Sequence, residues 1–376
     1  HQEGDQRQGH AALANQPADP RLAAARTELW RGQCNDTYWH GIFGGVYLAH
    51  LRRATKQALI AADRLLGEAT GIAPVQWSQE DVNGDGRLEV VIRTPTLSLV
   101  LHPEAGGTLT ELAYFPKGLD LADVLTRRRE AYHAQVKSNA PMPVIGWTQT
   151  IHERTTAMEP GLSSLLGYDR FRRASLLDGL FPAAGTLDPL HPWEASLVTL
   201  GESKMKTEVT GSSERITMTC SLENPDSWPL IVQKVISVRS RNAEVGVVYR
   251  LRWTGADALT ARWAVQWNLA LTAGDAPGRY LRLSNQPSLG SRGEVDSRLT
   301  LSLVDEWVGT EVALKWGRAA RVSWAPVETV SLSEAGFERI YQGAAILLCW
   351  PLDLTPGEEW EETITLNVLE LSQNTE

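Results

Sequence analysis

Between residues 48 and 65, apolar or small side chains fall at Leu48, Leu51, Thr55, Ala58, Ala62 and Leu65. Spacings of three and four put these positions on one stripe of a helix. Helical texture begins earlier, near Arg21, so two helices are expected between Arg21 and Leu66. They are separated by the turn Tyr38-Trp39-His40-Gly41-Ile42-Phe43-Gly44-Gly45. Glycine interrupts helices and lets backbones approach closely, so this segment reads as a shaped junction. After Gly71 the pattern shortens to that of strands: 88–93, 96–102 and 107–114. From Lys204 onward strand-like runs recur at 215–221, 230–239, 244–253, 261–271, 298–304, 344–350 and 359–371. One helical interlude is predicted over 119–133, capped by Asp120 and carrying Arg127, Arg128 and Arg129. Many strands without intervening helices point to an antiparallel sandwich rather than a parallel sheet. The expected fold class is mainly β. A disordered lead-in (1–20) precedes a small N-terminal α-helical segment (21–72) and a large antiparallel β-sandwich (73–376).

Composition narrows the function classes. Thirty-six Lys and Arg against 45 Asp and Glu leave a net charge of −9. That balance argues against nucleic acid and anionic membranes as partners, because both demand a basic surface. The longest apolar run, 344–352, is far too short to span a bilayer, and 1–16 lacks the apolar stretch of a secretory signal. A cytoplasmic location is expected. Cys34, Cys220 and Cys349 are odd in number and far apart, which reads as free thiols in a reducing compartment. Tryptophan is the anomaly: 14 residues, more than the 8 tyrosines and 5 phenylalanines together. Such rings suit a sandwich core or a surface that stacks on sugars, and composition does not separate the two.

Two segments carry candidate chemistry. Gln33-Cys34-Asn35-Asp36-Thr37-Tyr38-Trp39-His40 gathers an amide, a carboxylate, an indole and an imidazole. Sugars are held by carboxylates and amides bridging hydroxyls, with an aromatic ring on the C–H face. Asp36 and Trp39, three apart, would face the same way on a helical turn. The alternative is a capped helix end with Trp39 in the core. The second segment is Asp81-Val82-Asn83-Gly84-Asp85-Gly86-Arg87-Leu88-Glu89. Oxygen donors at Asp81, Asn83, Asp85 and Glu89 around a glycine turn suit calcium, although Ile92 stands where a full EF-hand loop ends in a ligand. A metal-free hairpin turn is the competing reading. Arg127 to Arg129 read either as an anion clamp or as a salt-bridged helix face. His102, His133, His152 and His191 show no transition-metal spacing.

The segment from Leu29-Trp30-Arg31-Gly32-Gln33-Cys34-Asn35-Asp36 through Trp39-His40-Gly41 to Phe43-Gly44-Gly45-Val46-Tyr47-Leu48 resembles glycoside hydrolase family 57, in its α-amylase and 4-α-glucanotransferase branch. The likeness continues at Asp85-Gly86, at Leu125-Thr126-Arg127-Arg128-Arg129-Glu130-Ala131-Tyr132-His133 and at Tyr168-Asp169-Arg170. It ends at Pro326 to Glu334, Gly336-Phe337-Glu338 and Tyr341-Gln342-Gly343. The resemblance implies a layout of catalytic barrel, helical bundle and β-sandwich of galactose-mutarotase-like type, of which this chain carries the last two. It places the catalytic Glu nucleophile and Asp acid/base of a retaining mechanism in the barrel, so no catalytic residue is assigned here. Asp36 and Trp39 match the family's sugar-site Asp and Trp, with Asn35 and His40 as supports. Gly179 stands where the resemblance leads one to expect His.

The function implied is the C-terminal part of an α-1,4-glucan-processing enzyme, with α-1,4-glucan or maltooligosaccharide and the N-terminal catalytic barrel as partners. No cofactor is required beyond calcium, if the loop binds it. The alternative is a stand-alone, non-catalytic glucan-binding or scaffold protein. An independent mutarotase rests on fold analogy alone. The chain opens on His1 rather than Met, which favours the first reading.

Overall fold

The computed structural model describes residues 19–40, 45–71, 75–138, 160–333 and 336–371. Apart from Asp19 and Pro20, the expected lead-in 1–20 lies outside them.

The helical part is a hairpin of α1 (Pro20–Gly32) and α2 (Ala49–Thr70). Asp19 starts α1 by accepting the Arg21 N–H at 2.9 Å, with Pro20 in the first turn where its missing N–H costs nothing. Gly71 ends α2 in the left-handed region, φ 67°. The predicted stripe is on the packed face: Thr55, Ala58 and Ala62 are buried. Arg52 is buried with them, its guanidinium held by Asp123 at 3.1 Å and by the Val46 carbonyl at 2.6 Å. At Gly32 the helices nearly touch, since a β-carbon there would lie 2.3 Å from Leu59 Cδ2.

Two antiparallel sheets follow. The smaller is a meander of β1 (Gln76–Glu80), β2 (Glu89–Arg93), β3 (Leu97–His102), β4 (Thr108–Tyr114) and β5 (Leu119–Asp120). Alternation decides its faces: Val90, Ile92, Leu97, Leu99 and Leu101 enter the main core. Val91, Arg93, Ser98 and Val100 look the other way, onto a cavity of about 510 Å³ shared with α1 and α2.

The larger sheet has twelve strands: β6 (Leu177–Pro182), β7 (Val198–Thr199), β8 (Lys206–Gly211), β9 (Arg215–Glu223), β10 (Leu230–Arg239), β11 (Glu244–Trp253), β12 (Leu259–Leu269), β13 (Arg279–Leu281), β14 (Gly293–Asp305), β15 (Thr310–Ser333), β16 (Gly336–Leu354) and β17 (Glu359–Glu370). Its order is β7-β6-β12-β16-β15-β17-β11-β10-β9-β8, with β14 joining β15 and β13 joining β14. The chain is therefore mainly β, with a small helical lead and large antiparallel sheets, as the patterning predicted. One core cluster joins both sheets, and Trp263, Trp267 and Trp350 are nearly fully buried in it. Every second residue of β10 points inward, which puts Lys234 among them. Its ammonium meets Asp178 at 2.5 Å and the carbonyls of Gly106 and Leu176 at 2.7 and 3.0 Å. A buried charge survives only with such partners.

The helical interlude over 119–133 does not form. Asp120 is the end of a short strand, and its Oδ1 accepts the N–H groups of Leu112 and Ala122, both at 3.1 Å, instead of capping a helix. A strap then runs to α3 (His133–Ser138). Arg127 is buried within that strap, so the salt-bridged helix face is also set aside.

Candidate functional site

The turn after α1 is a single 3-10 turn, Asn35–Thr37, followed by Tyr38 and Trp39. It is braced from beneath. Thr37 Oγ1 donates to the Cys34 carbonyl at 3.2 Å and receives the Thr55 hydroxyl at 3.0 Å. Tyr38 Oη donates to the Gly32 carbonyl at 2.5 Å, and Val46 N–H donates to the Trp39 carbonyl at 3.0 Å. Asn35 and Asp36 are exposed, and Trp39 is 52% exposed. The core placement of Trp39 is thereby set aside. Residues 41–44 of the predicted glycine-rich junction lie outside the described residues.

His40 does not reach Asp36. Its Nε2 lies 3.3 Å from the Leu332 carbonyl, and its ring packs on Tyr132 (centroids 4.9 Å apart) and edge-on to Tyr47 (5.5 Å). Beneath it, Tyr47 Oη donates to Glu130. Burial, then that carboxylate, push the Tyr47 phenol well above its ordinary range, so the proton stays on oxygen. His133 Nδ1 accepts the Glu130 N–H at 3.2 Å and lies 3.3 Å from Tyr168 Oη, while its Nε2 faces the Val330 carbonyl at 3.0 Å. This assigns the His133 proton to Nε2. An aromatic and imidazole layer thus joins the Asp36–Trp39 turn to the strap and to β15. Tyr47, Glu130, His133 and Tyr168 lie inside the family-like segments, but nothing in the sequence joined them into one layer; three stretches of the chain had to meet first.

The arginine run divides. Arg127 pairs with Asp169 at 2.6 Å and lies 3.2 Å from His191 Nε2, while Arg173 takes the same Asp169 oxygen at 2.6 Å. Arg128 is exposed, and the Arg129 guanidinium lies 5.2 Å from the Tyr168 ring centroid. The anion clamp is therefore not assembled, because Arg127 is consumed by an internal carboxylate.

In the Asp81–Glu89 loop, Asp81 accepts the N–H groups of Gly84, Asp85 and Gly86 at 2.8, 3.0 and 3.0 Å. Asn83 Oδ1 accepts Asp85 N–H at 2.8 Å, and Asp85 Oδ1 accepts Arg87 N–H at 2.9 Å. Glu89 is buried, accepts Val82 N–H at 2.8 Å and lies 3.2 Å from His102 Nδ1. Asn83 Nδ2 sits between Asp85 (3.3 Å) and Glu89 (3.4 Å), so a neutral amide occupies the point where a cation would be attracted. Among the described residues no three His, Cys, Asp or Glu side chains gather at metal-binding distance. Asn83 Oδ1 is engaged by the Asp85 N–H, so a cation that used all four side chains would have to displace that hydrogen bond.

Cys34 is exposed and Cys220 and Cys349 are buried, all three free thiols, as expected. Burial pushes the Cys349 thiol up to about 11. No helix among the described residues is long and apolar enough to cross a membrane.

With this geometry in place, comparison with known proteins assigns the family. The C-terminal domain model of the alpha-amylase/4-alpha-glucanotransferase family matches residues 81–364, and the middle-domain model matches residues 9–66. The chain belongs to that family. Among its relatives, alpha-amylase 1 of Dictyoglomus thermophilum is 33% identical over 366 residues, covering 94% of this chain and 50% of that protein. The 4-alpha-glucanotransferase of Thermococcus litoralis is 27% identical, covering 88% of this chain and 46% of that protein. A crystal structure of a 4-alpha-glucanotransferase from Thermococcus litoralis superposes with a TM-score of 0.69 at 25% identity, over 91% of this chain and 46% of that one. The chain spans about half the length of the curated relatives it matches.

Proposed function

We propose that this chain is the C-terminal part of an α-1,4-glucan-processing enzyme, in which the Asp36–Trp39 turn contacts the sugar while a catalytic barrel supplies the reacting carboxylates. The observation that carries this reading is the exposure of Asp36 and Trp39 together on a braced turn. Among the described residues the Asp36 carboxylate has no hydrogen-bond or ion-pair partner, and the Trp39 ring has no stacking partner. An indole of this size normally buries 150–250 Å² on folding, so leaving it half exposed on an ordered turn favours a role in binding. A carboxylate with free lone pairs beside such a ring can bridge adjacent hydroxyls of a pyranose stacked on it. Asn35 is exposed on the same turn, while His40 is held below it through Leu332, Tyr47 and Tyr132.

Retaining glycosyl transfer needs two carboxyls about 5 Å apart flanking the bond. That pair is attributed to the barrel, so the role of this chain is to bind and orient. Electrophoresis of the chain through gels containing glycogen or amylose tests the reading. Retardation by these α-1,4-glucans and not by dextran is expected. Equal mobility in all gels would favour a scaffold that does not bind sugar.

A further inference from the structure

Strands β15 and β16 pair in register except at one place. Val327 faces Gly343 and Glu328 faces Tyr341, which leaves Gln342 as an extra residue on β16. A bulge of this kind re-aims a side chain, and here the change of face is visible. Beyond it the even-numbered positions Ala344, Ile346, Leu348 and Trp350 enter the main core. Gln342 is even-numbered too, yet its Nε2 donates to Thr329 Oγ1 at 2.8 Å. Thr329 stands two residues after Val327 on β15, and Val327 packs with Ala345 and with Val124 of the strap on the other face of the sheet. The bulge depends on Gly343, φ +152°, where a β-carbon would lie 2.7 Å from Val124 Cγ2.

Turned to that face, the Gln342 amide also donates to the Tyr47 carbonyl, at 2.9 Å. Tyr47 closes the 3-10 turn Gly45–Tyr47, whose middle residue, Val46, donates its N–H to the Trp39 carbonyl at 3.0 Å. Groups from three parts of the chain hold this turn. Arg52 Nη1 of α2 meets the Val46 carbonyl at 2.6 Å, Glu130 of the strap accepts the Tyr47 hydroxyl, and Gln342 of β16 holds the Tyr47 carbonyl. Gln342 is buried, and its Oε1 has no hydrogen-bond partner among the described residues. A buried acceptor left unpaired costs stability, so packing alone would favour an apolar side chain of the same size. What an apolar side chain does not supply is a directed N–H on the Tyr47 carbonyl.

We propose that Gln342 is a positioning residue for sugar binding: through Tyr47 and Val46 it holds the backbone of Trp39 where the indole and Asp36 meet the glucan. This role rests on the glucan reading given above, and it makes the sandwich, with the helical hairpin, responsible for the geometry of the turn.

Gln342→Met tests the role, since methionine has the same length and lacks the donor. Maltoheptaose affinity, thermal melting and amide hydrogen exchange are measured on the full chain. Affinity is expected to fall about fivefold or more, comparable with losing one hydrogen bond. The Val46 amide is expected to exchange faster by at least a similar factor, while ladder amides such as Leu348, opposite Val322, keep their wild-type rates. The melting temperature should fall only slightly, because the unpaired Oε1 is removed together with the donor. Thr329→Val takes away the other partner of the Gln342 amide and is expected to bind maltoheptaose as wild type does. Gln342→Leu gives the same comparison if the methionine variant does not fold. Unchanged affinity in Gln342→Met beside intact wild-type binding would overturn the role of Gln342 and leave the glucan reading standing. An equal loss of affinity in Thr329→Val would assign the effect to packing of the β15–β16 hairpin and overturn it as well. So would a large fall in melting temperature with faster exchange throughout that hairpin and undiminished affinity per folded molecule. A wild-type chain that does not bind maltoheptaose would overturn the glucan reading itself, and this role with it.

Discussion

A β-carbon on Gly45 would lie 2.2 Å from the carbonyl oxygen of Trp39, and Gly45 adopts φ +52°. Both facts exclude any other residue without movement of the turn, because the left-handed region is strained for residues bearing a β-carbon. The contact fixes where Trp39 stands, since the next residue, Val46, donates its N–H to that same carbonyl. Gly45→Ala is expected to cost roughly 2 kcal/mol or more of stability and to displace the Asp36–Trp39 turn. Thermal melts together with glycogen-gel mobility check this. A variant with unchanged melting and unchanged retardation would contradict it.

Asp169 gives the fold an acid-sensitive joint. Burial opposes its charge, but the hydrogen bonds and charges of Arg173 and Arg127 outweigh burial and hold its carboxyl below the usual 3.8. A depressed folded-state value means that its stabilisation is fully present above the unfolded-state value and is lost as pH falls from about 4 through the folded one. Asp169→Asn leaves two buried guanidinium groups sharing no carboxylate and is expected to cost about 3–5 kcal/mol. The variant should also lose part of the stability change between pH 4 and pH 2. Denaturant unfolding across that range is the measurement, and identical pH slopes in the two proteins would exclude the assignment.

Calcium at Asp81, Asn83, Asp85 and Glu89 should raise the melting temperature, because a ligand that binds only the folded state stabilises it by mass action. Asp85→Ala should abolish the increment while leaving the calcium-free melt nearly unchanged, as Asp85 is exposed. An unchanged melt at millimolar calcium would leave a metal-free turn held by the Asp81 and Asn83 hydrogen bonds.

Legibility followed the range of the interactions. β10 and β11 coincide with the period-two runs at 230–239 and 244–253, because one face of each is buried and the other is not. β15 escaped notice. Its Gly317-Arg318-Ala319-Ala320-Arg321 stretch breaks the alternation while the backbone passes from pairing with β17 to pairing with β16. The interlude at 119–133 has helical composition, but Asp120 and Arg127 find their partners in β4 and at Asp169, contacts that no local pattern encodes. The same holds at the candidate site. Asp36 and Trp39 were visible as residue types on a turn, whereas the layer of His40, Tyr47, Glu130, Tyr132 and His133 beneath them exists only after α2, the strap and β15 have packed.

The central claim, that Asp36 and Trp39 serve sugar binding and not the core, is tested most directly by calorimetric titration of maltoheptaose into the wild-type chain and into Asp36→Asn and Trp39→Ala, each with a thermal melt. Trp39→Ala is expected to weaken binding by ~1–3 kcal/mol, the range for losing a stacking ring and its apolar contacts. Asp36→Asn should weaken it through lost hydroxyl contacts, and both variants should melt close to the wild-type temperature. A large fall in melting temperature with binding per folded molecule intact would contradict the account and return both residues to the fold.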